Sequence, residues 1–235
     1  MTIRSPLMLL ILVMMAGFDP TGAFAADRAD ATVKKKPATI AYQPPLRGAP
    51  LSRVGGGTRS IQAADLQVEV LAPEHTGLTL QAQPVFYWYC SRAITTPVEF
   101  AIVKPNVPEP VLEVILKGPF APGIHAVDLR EYGTVLQAET DYEWYISVVF
   151  DPAQRSNDVT AGAAIRQVGA KDGIRTSLGT GQTQGADYAR AGLWYDAISA
   201  LSASIADQPT DPAPREQRAE LLQQVGLMEA AAAAQ

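Results

Sequence analysis

The chain has 235 residues, 47% hydrophobic and 18% charged, with a formal net charge of −5. This is a globular composition with room for one or two domains. The 18 prolines and 18 glycines argue against long helices and for many short elements joined by turns, and a single cysteine, Cys90, excludes an internal disulfide.

The N-terminus reads as an export signal. Arg4 supplies the positive start, and Leu7 to Phe18 is an apolar run too short to span a bilayer. Ala23-Phe24-Ala25 fits the small-x-small cleavage pattern, so residues 1–25 are expected to be removed by cutting after Ala25 or Ala26; the alternative is an uncleaved anchor. No cysteine follows the run, which argues against a lipoprotein anchor, and no second long apolar run appears. The expected location is the periplasm or the extracellular space, and the mature chain is not expected to be transmembrane.

Residues 26–60 form a basic arm, with seven basic side chains against Asp27 and Asp30. Lys34-Lys35-Lys36-Pro37, Pro44-Pro45 and Gly55-Gly56-Gly57 predict an extended or disordered segment. One reading is a contact with anionic lipid, envelope polymer or nucleic acid; the other is a solvated tether, and export argues against nucleic acid. The end of the arm is more pointed. Arg47, Arg53 and Arg59 recur six apart, Gly55, Gly56 and Gly57 free the backbone, and Thr58 adds a hydroxyl. Such a stretch is a candidate ligand or partner contact, since glycine-rich backbone N–H groups form anion-binding concavities. It lacks the Gly-Lys-Ser/Thr ending of a nucleotide loop. The alternative is a linker that docks along a sheet edge.

From residue 66, strand signals come at short intervals. Strands are predicted at 66–71, 78–81, 84–90, 98–103, 111–116, 124–129, 142–150 and 159–168, each bounded by Pro or Gly or by a polar turn. Tyr142, Trp144, Ile146, Val148 and Phe150 share one face of the most regular of them. With no helical pattern between them, seven or eight antiparallel strands over residues 61–170 predict a mainly β fold, a β-sandwich, with Trp88 and Trp144 meeting in its core. Cys90 alternates with Phe86 and Trp88 and reads as a small buried hydrophobe. The loop Asp151-Pro152-Ala153-Gln154-Arg155-Ser156-Asn157-Asp158 is polar. Asp151, Arg155 and Asp158 are a second candidate binding set, or they satisfy turn backbone and one another.

Residues 171–185 read as a glycine-rich linker. After them the period changes: Tyr188, Ala191, Tyr195, Ile198, Leu201 and Ile205 step by three or four, predicting a small helical hairpin over 186–235. Gly192-Leu193 recurs as Gly226-Leu227, 34 residues later, and Ala197 as Ala231. That period, with Gly192-Leu193-Trp194-Tyr195-Asp196-Ala197, resembles a partial tetratricopeptide unit.

Two local patterns, Leu136-x-Ala138-x-Thr140-x-Tyr142-x-Trp144 and Pro84-x-Phe86-x-Trp88, resemble fibronectin type III and other immunoglobulin-like domains, in which a tyrosine at the start of strand F bonds back to the preceding turn. Larger pieces in order resemble a family of exported bacterial proteins common in cyanobacteria, domain of unknown function 928. They are Arg47-Gly48-x-Pro50 with Arg53-Val54-Gly55-Gly56-Gly57-Thr58-Arg59, Gly77-Leu78-Thr79-Leu80, Tyr142-x-Trp144, Asp151-Pro152-x-x-Arg155-Ser156-x-Asp158, Tyr188-Ala189-x-Ala191-Gly192-x-Trp194-Tyr195-Asp196-Ala197 and Leu221-Leu222-x-x-Val225-Gly226-Leu227. A cysteine that family members often carry after the glycine triplet is absent from Ser60 to Ala64. The resemblance implies export and this domain order, and it implies no activity.

Signs of chemistry are sparse. His75 and His125 are scattered, there is no Gly-x-Ser-x-Gly elbow, and no cofactor or metal site is expected. Asp141 with Glu143, and Asp151 with Asp158, are the carboxylate pairs a hydrolase would need. The leading expectation is a non-catalytic binding or protein-interaction module of the cell envelope. A carbohydrate- or polymer-binding module using Tyr87, Tyr89 and Tyr145 is the alternative, and a carboxylate-dependent hydrolase the third.

Overall fold

The computed structural model describes residues 39–44, 53–56, 65–169, 178 and 184–235. All belong to one unit, Pro37–Gln235. The expected export signal and the expected glycine-rich linker fall outside the described residues, apart from Leu178 and the last two residues of that linker, Gln184 and Gly185.

Nine strands are described: β1 Val54–Gly56, β2 Gln67–Val70, β3 Gly77–Thr79, β4 Val85–Cys90, β5 Val98–Val103, β6 Leu112–Leu116, β7 Gly123–Asp128, β8 Asp141–Val148 and β9 Val159–Gln167. They form two sheets, one ordered β1-β2-β4-β7 and the other β3-β9-β8-β5-β6. Every pairing within them is antiparallel except β3 with β9. The chain thus crosses between sheets in the manner of an immunoglobulin-like sandwich. Alternation drives it. Val98, Phe100 and Ile102 of β5 and Tyr142, Trp144, Ile146 and Val148 of β8 all turn inward, paired as Phe100 opposite Ile146 and Ile102 opposite Trp144.

Trp88 and Trp144 are both fully buried in one core, but their rings are not in contact, which corrects the expectation that they meet. Trp144 meets Phe86, ring centres 4.8 Å apart, whereas Trp88 meets Phe120 and His125. Cys90 is buried, its Sγ 3.2 Å from the carbonyl of Ala121, and burial pushes the thiol up in pKa. At the start of β8 the Tyr142 hydroxyl accepts from the N–H of Gln137 at 3.0 Å, five residues upstream. This bond locks the turn into that strand.

Four helices follow: α1 Gly185–Arg190, α2 Trp194–Asp207, α3 Ala213–Gln224 and α4 Met228–Ala233. Gly192 and Gly226 both take positive φ, which glycine adopts without steric cost, and each turns the chain between two helices. The geometry repeats at the 34-residue spacing. Leu193 donates to Tyr188 and Leu227 to Leu222; Ala197 bonds back to Leu193 and Ala231 to Leu227.

These helices share the sandwich core. The Trp194 indole donates to the Leu71 carbonyl at 2.7 Å, and the Trp144 indole donates to the Tyr195 hydroxyl at 2.8 Å. Glu69 of β2, 2% exposed, accepts from the N–H of Ala230 in the first turn of α4. A carboxylate there satisfies an N–H that has no partner within the helix and complements the helix dipole.

Two pieces of the basic arm are packed, which corrects the expectation of a wholly extended, unpacked segment. Ile40 is buried, and its carbonyl accepts from Gln224 of α3 at 2.7 Å. Val54 to Gly56 form β1, paired with Glu69 to Gln67.

Candidate functional site

Of the expected arginine and glycine contact, Arg47, Gly57, Thr58 and Arg59 lie outside the described residues. Arg53 is only 8% exposed. Its guanidinium donates to the carbonyls of Ala72 at 3.0 Å and Val225 at 2.9 Å, and to Glu74 at 2.8 Å. It joins the end of β2 to the turn between α3 and α4. Gly55 lies in β1 without positive φ, and a Cβ there would come 2.6 Å from the Thr160 carbonyl oxygen. Gly55 is therefore needed for close approach of β1 to β9, and Gly56 continues the same strand. The arrangement is that of a strand docked on a sheet edge.

The loop after β8 is closed on itself. Asp151 accepts from the N–H of Ala153 at 2.8 Å, while Arg155 reaches Glu99 at 2.8 Å and Asp158 at 2.7 Å. The Arg155 guanidinium holds the Glu99 carboxyl below its ordinary pKa, whereas burial raises that of Asp158. Asp141 is paired with Arg166 at 2.7 Å, and Glu143 accepts from the Tyr145 hydroxyl at 2.7 Å. Tyr89 is buried; Tyr87 and Tyr145 are half-buried. Among the described residues, no group of three His, Cys, Asp or Glu side chains is placed to hold a metal ion.

A different constellation lies where α2 meets the end of β3. A cleft of about 490 Å³ opens between the segment that follows β3 and the pair α1–α2. Asp196, in the first turn of α2, is one of its lining residues and is 4% exposed. One carboxylate oxygen, Oδ2, accepts from the N–H of Leu80 at 3.0 Å; Oδ1 has no hydrogen-bond partner among the described residues. Burial raises the carboxyl's pKa, and the neighbouring N–H of Leu80 and side chains of Thr79 and Gln81 pull it part of the way back. Thr79, wholly buried, accepts from the N–H of Gln81 at 3.0 Å, which leaves its hydroxyl hydrogen free to point at the carboxylate.

The cleft walls mix donors with apolar surface. Gln81, Gln83 and Ser199 offer amides and a hydroxyl, and Tyr188 and Ala203 offer apolar area. Arg130 stands at the rim, forked onto Asp128, whose pKa it lowers. The Tyr195 hydroxyl is committed inward, donating to the Ala164 carbonyl at 3.1 Å. None of these cleft residues follows from a chemical motif. The one signal that could have found them is Trp194-Tyr195-Asp196-Ala197, an acidic residue inside an otherwise apolar helical stretch.

No helix among the described residues is long and apolar enough to cross a membrane. No curated protein and no solved structure matches the chain. A family model covers residues 54–235, from β1 through α4, and so spans both sheets, all four helices and the cleft between them. On that match the chain belongs to the family described as Domain of Unknown Function (DUF928).

Proposed function

We propose that this protein is an exported, non-catalytic binding module of the cell envelope, and that the cleft beside Asp196 receives a segment of a partner protein. The observation that carries this reading is the buried Asp196 carboxylate, a lining residue of the cleft, with one oxygen that has no hydrogen-bond partner among the described residues. A buried acceptor without a partner is costly, and an incoming N–H or O–H removes that cost. The walls supply amide and hydroxyl groups beside apolar surface, the mixture a peptide backbone with small side chains requires. The short apolar run at 7–18 motivates export.

A second reading, carbohydrate binding, has its own observation. The Tyr145 ring lies across Gly162 on the outer face of the five-stranded sheet, where a Cβ would meet it at 2.4 Å. A half-exposed ring held flat is a stacking platform.

One experiment separates the two. The full mature chain is immobilised and challenged with envelope extract, beside Ser199→Trp, which fills the cleft, and Tyr145→Ala, which removes the platform. The cleft reading expects a protein retained by the wild type and by Tyr145→Ala and lost, by about tenfold or more, with Ser199→Trp at unchanged melting temperature. Retention of the same protein by Ser199→Trp sinks it, as does a wild type that retains nothing. Glycan retention lost only with Tyr145→Ala moves the assignment to the sheet.

A further inference from the structure

The edge of the five-stranded sheet carries a pattern that none of the preceding roles uses. β6 is its last strand, paired with β5 on one side only. An edge of this kind leaves backbone N–H and C=O groups open to another strand. On its outer face stand Glu113, Ile115 and, just past its end, Lys117, all exposed; Ile115, at 68%, is the most exposed of the large hydrophobic residues described. Neither Glu113 nor Lys117 forms a salt bridge with any described residue. On the other face Leu112 and Val114 are only half-buried.

We propose that β6 pairs antiparallel with β6 of a second copy of this chain, about a two-fold axis at Ile115. In that register Ile115 meets Ile115, Glu113 of each copy faces Lys117 of the other, and Val114 faces Leu116. An antiparallel pair keeps alternate residues on one face, so both charge pairs and the isoleucine contact line the same outer surface. Moving the axis by two residues destroys the match: at Glu113 it sets like charges together, and at Lys117 it does the same. Pro110 and Pro119 bracket the strand and, having no N–H, end any ladder there. The two five-stranded sheets then run on as one. A contact made by so short a strand is small, so the dimer forms and dissociates with concentration.

Charge reversal tests this without relying on a variant that fails to fold. Sedimentation of the full mature chain is followed from roughly 10 μM to 1 mM, the range suited to a weak contact. The wild type is expected to shift from monomer to dimer. Glu113→Lys alone sets Lys against Lys, Lys117→Glu alone sets Glu against Glu, and each should raise the dimer dissociation constant about tenfold. The double exchange, Glu113→Lys with Lys117→Glu, restores opposite charges and should return it to within about threefold of the wild type. A wild type that stays monomeric throughout overturns the proposal. So does a wild-type dimer that the single exchanges leave intact, or a double exchange no better than the singles.

Discussion

Asp196 concentrates several demands in one side chain. It anchors α2 to the end of β3 through the N–H of Leu80, and its other oxygen is buried without a hydrogen-bond partner among the described residues. Because burial raises its pKa in the folded chain, the folded state holds this proton more tightly than the unfolded state does. The charged form therefore costs stability at neutral pH. That cost lessens as pH falls through the raised value and is gone below the ordinary carboxylate value of about 4. Glu69 and Asp158, also raised by burial, act in the same sense. Glu99 and Asp128, lowered by their arginines, act in the opposite one, since their contribution is lost as pH falls through their lowered values. Comparing Asp196→Asn with the wild type isolates the one group. In urea titrations on acidification from pH 7, the wild type is expected to gain stability relative to the variant; a difference that does not change with pH refutes the assignment.

At the scale of the element, the hydrogen bond from Gln137 to Tyr142 fixes the entry to β8, which pairs with both β5 and β9. Tyr142→Phe keeps the ring in the core and removes only the acceptor. The expected loss is about 1 kcal/mol in urea unfolding with an unchanged m-value. No measurable loss would show that the bond adds nothing beyond the packing of the ring. Eight of the nine strands were legible because side chains alternate in them and Pro, Gly or polar turns bound them. β1 was not, for a physical reason. Val54-Gly55-Gly56 offers no alternation, and its glycine serves a tight approach to Thr160 that only the folded partner reveals. The 34-residue recurrence at Gly192 and Gly226 was legible, and both glycines make the same left-handed turn. The cleft was not legible. Asp196 acquires its burial from Leu80 and Thr79, more than a hundred residues earlier in the chain. Likewise Arg53 read as part of a candidate ligand or partner contact, because Ala72, Glu74 and Val225 converge on it only in three dimensions.

For the whole molecule, sandwich and helices complete one another. Arg53 needs the Val225 carbonyl, Glu69 needs the Ala230 N–H, and Ile40 bonds to Glu220 and Gln224. A chain ending at Asp211, without α3 and α4, leaves a buried guanidinium short of an acceptor and uncovers a buried carboxylate. Each hydrogen bond lost to a charged group costs roughly 1.5–3 kcal/mol, and the buried Leu221, Leu222 and Leu227 are lost from the core with it. Against a typical total of about 5–15 kcal/mol, such a truncation should abolish the cooperative transition. Urea unfolding followed by tryptophan fluorescence decides this. A two-state transition within about 1 kcal/mol of the full chain would mean that the sandwich stands alone.

The bond from Glu69 to Ala230 joins the second strand to the final helix across 161 positions. During translation the ribosome makes one long before the other. Until the later of them has emerged, this carboxylate has no N–H of that helix to accept from.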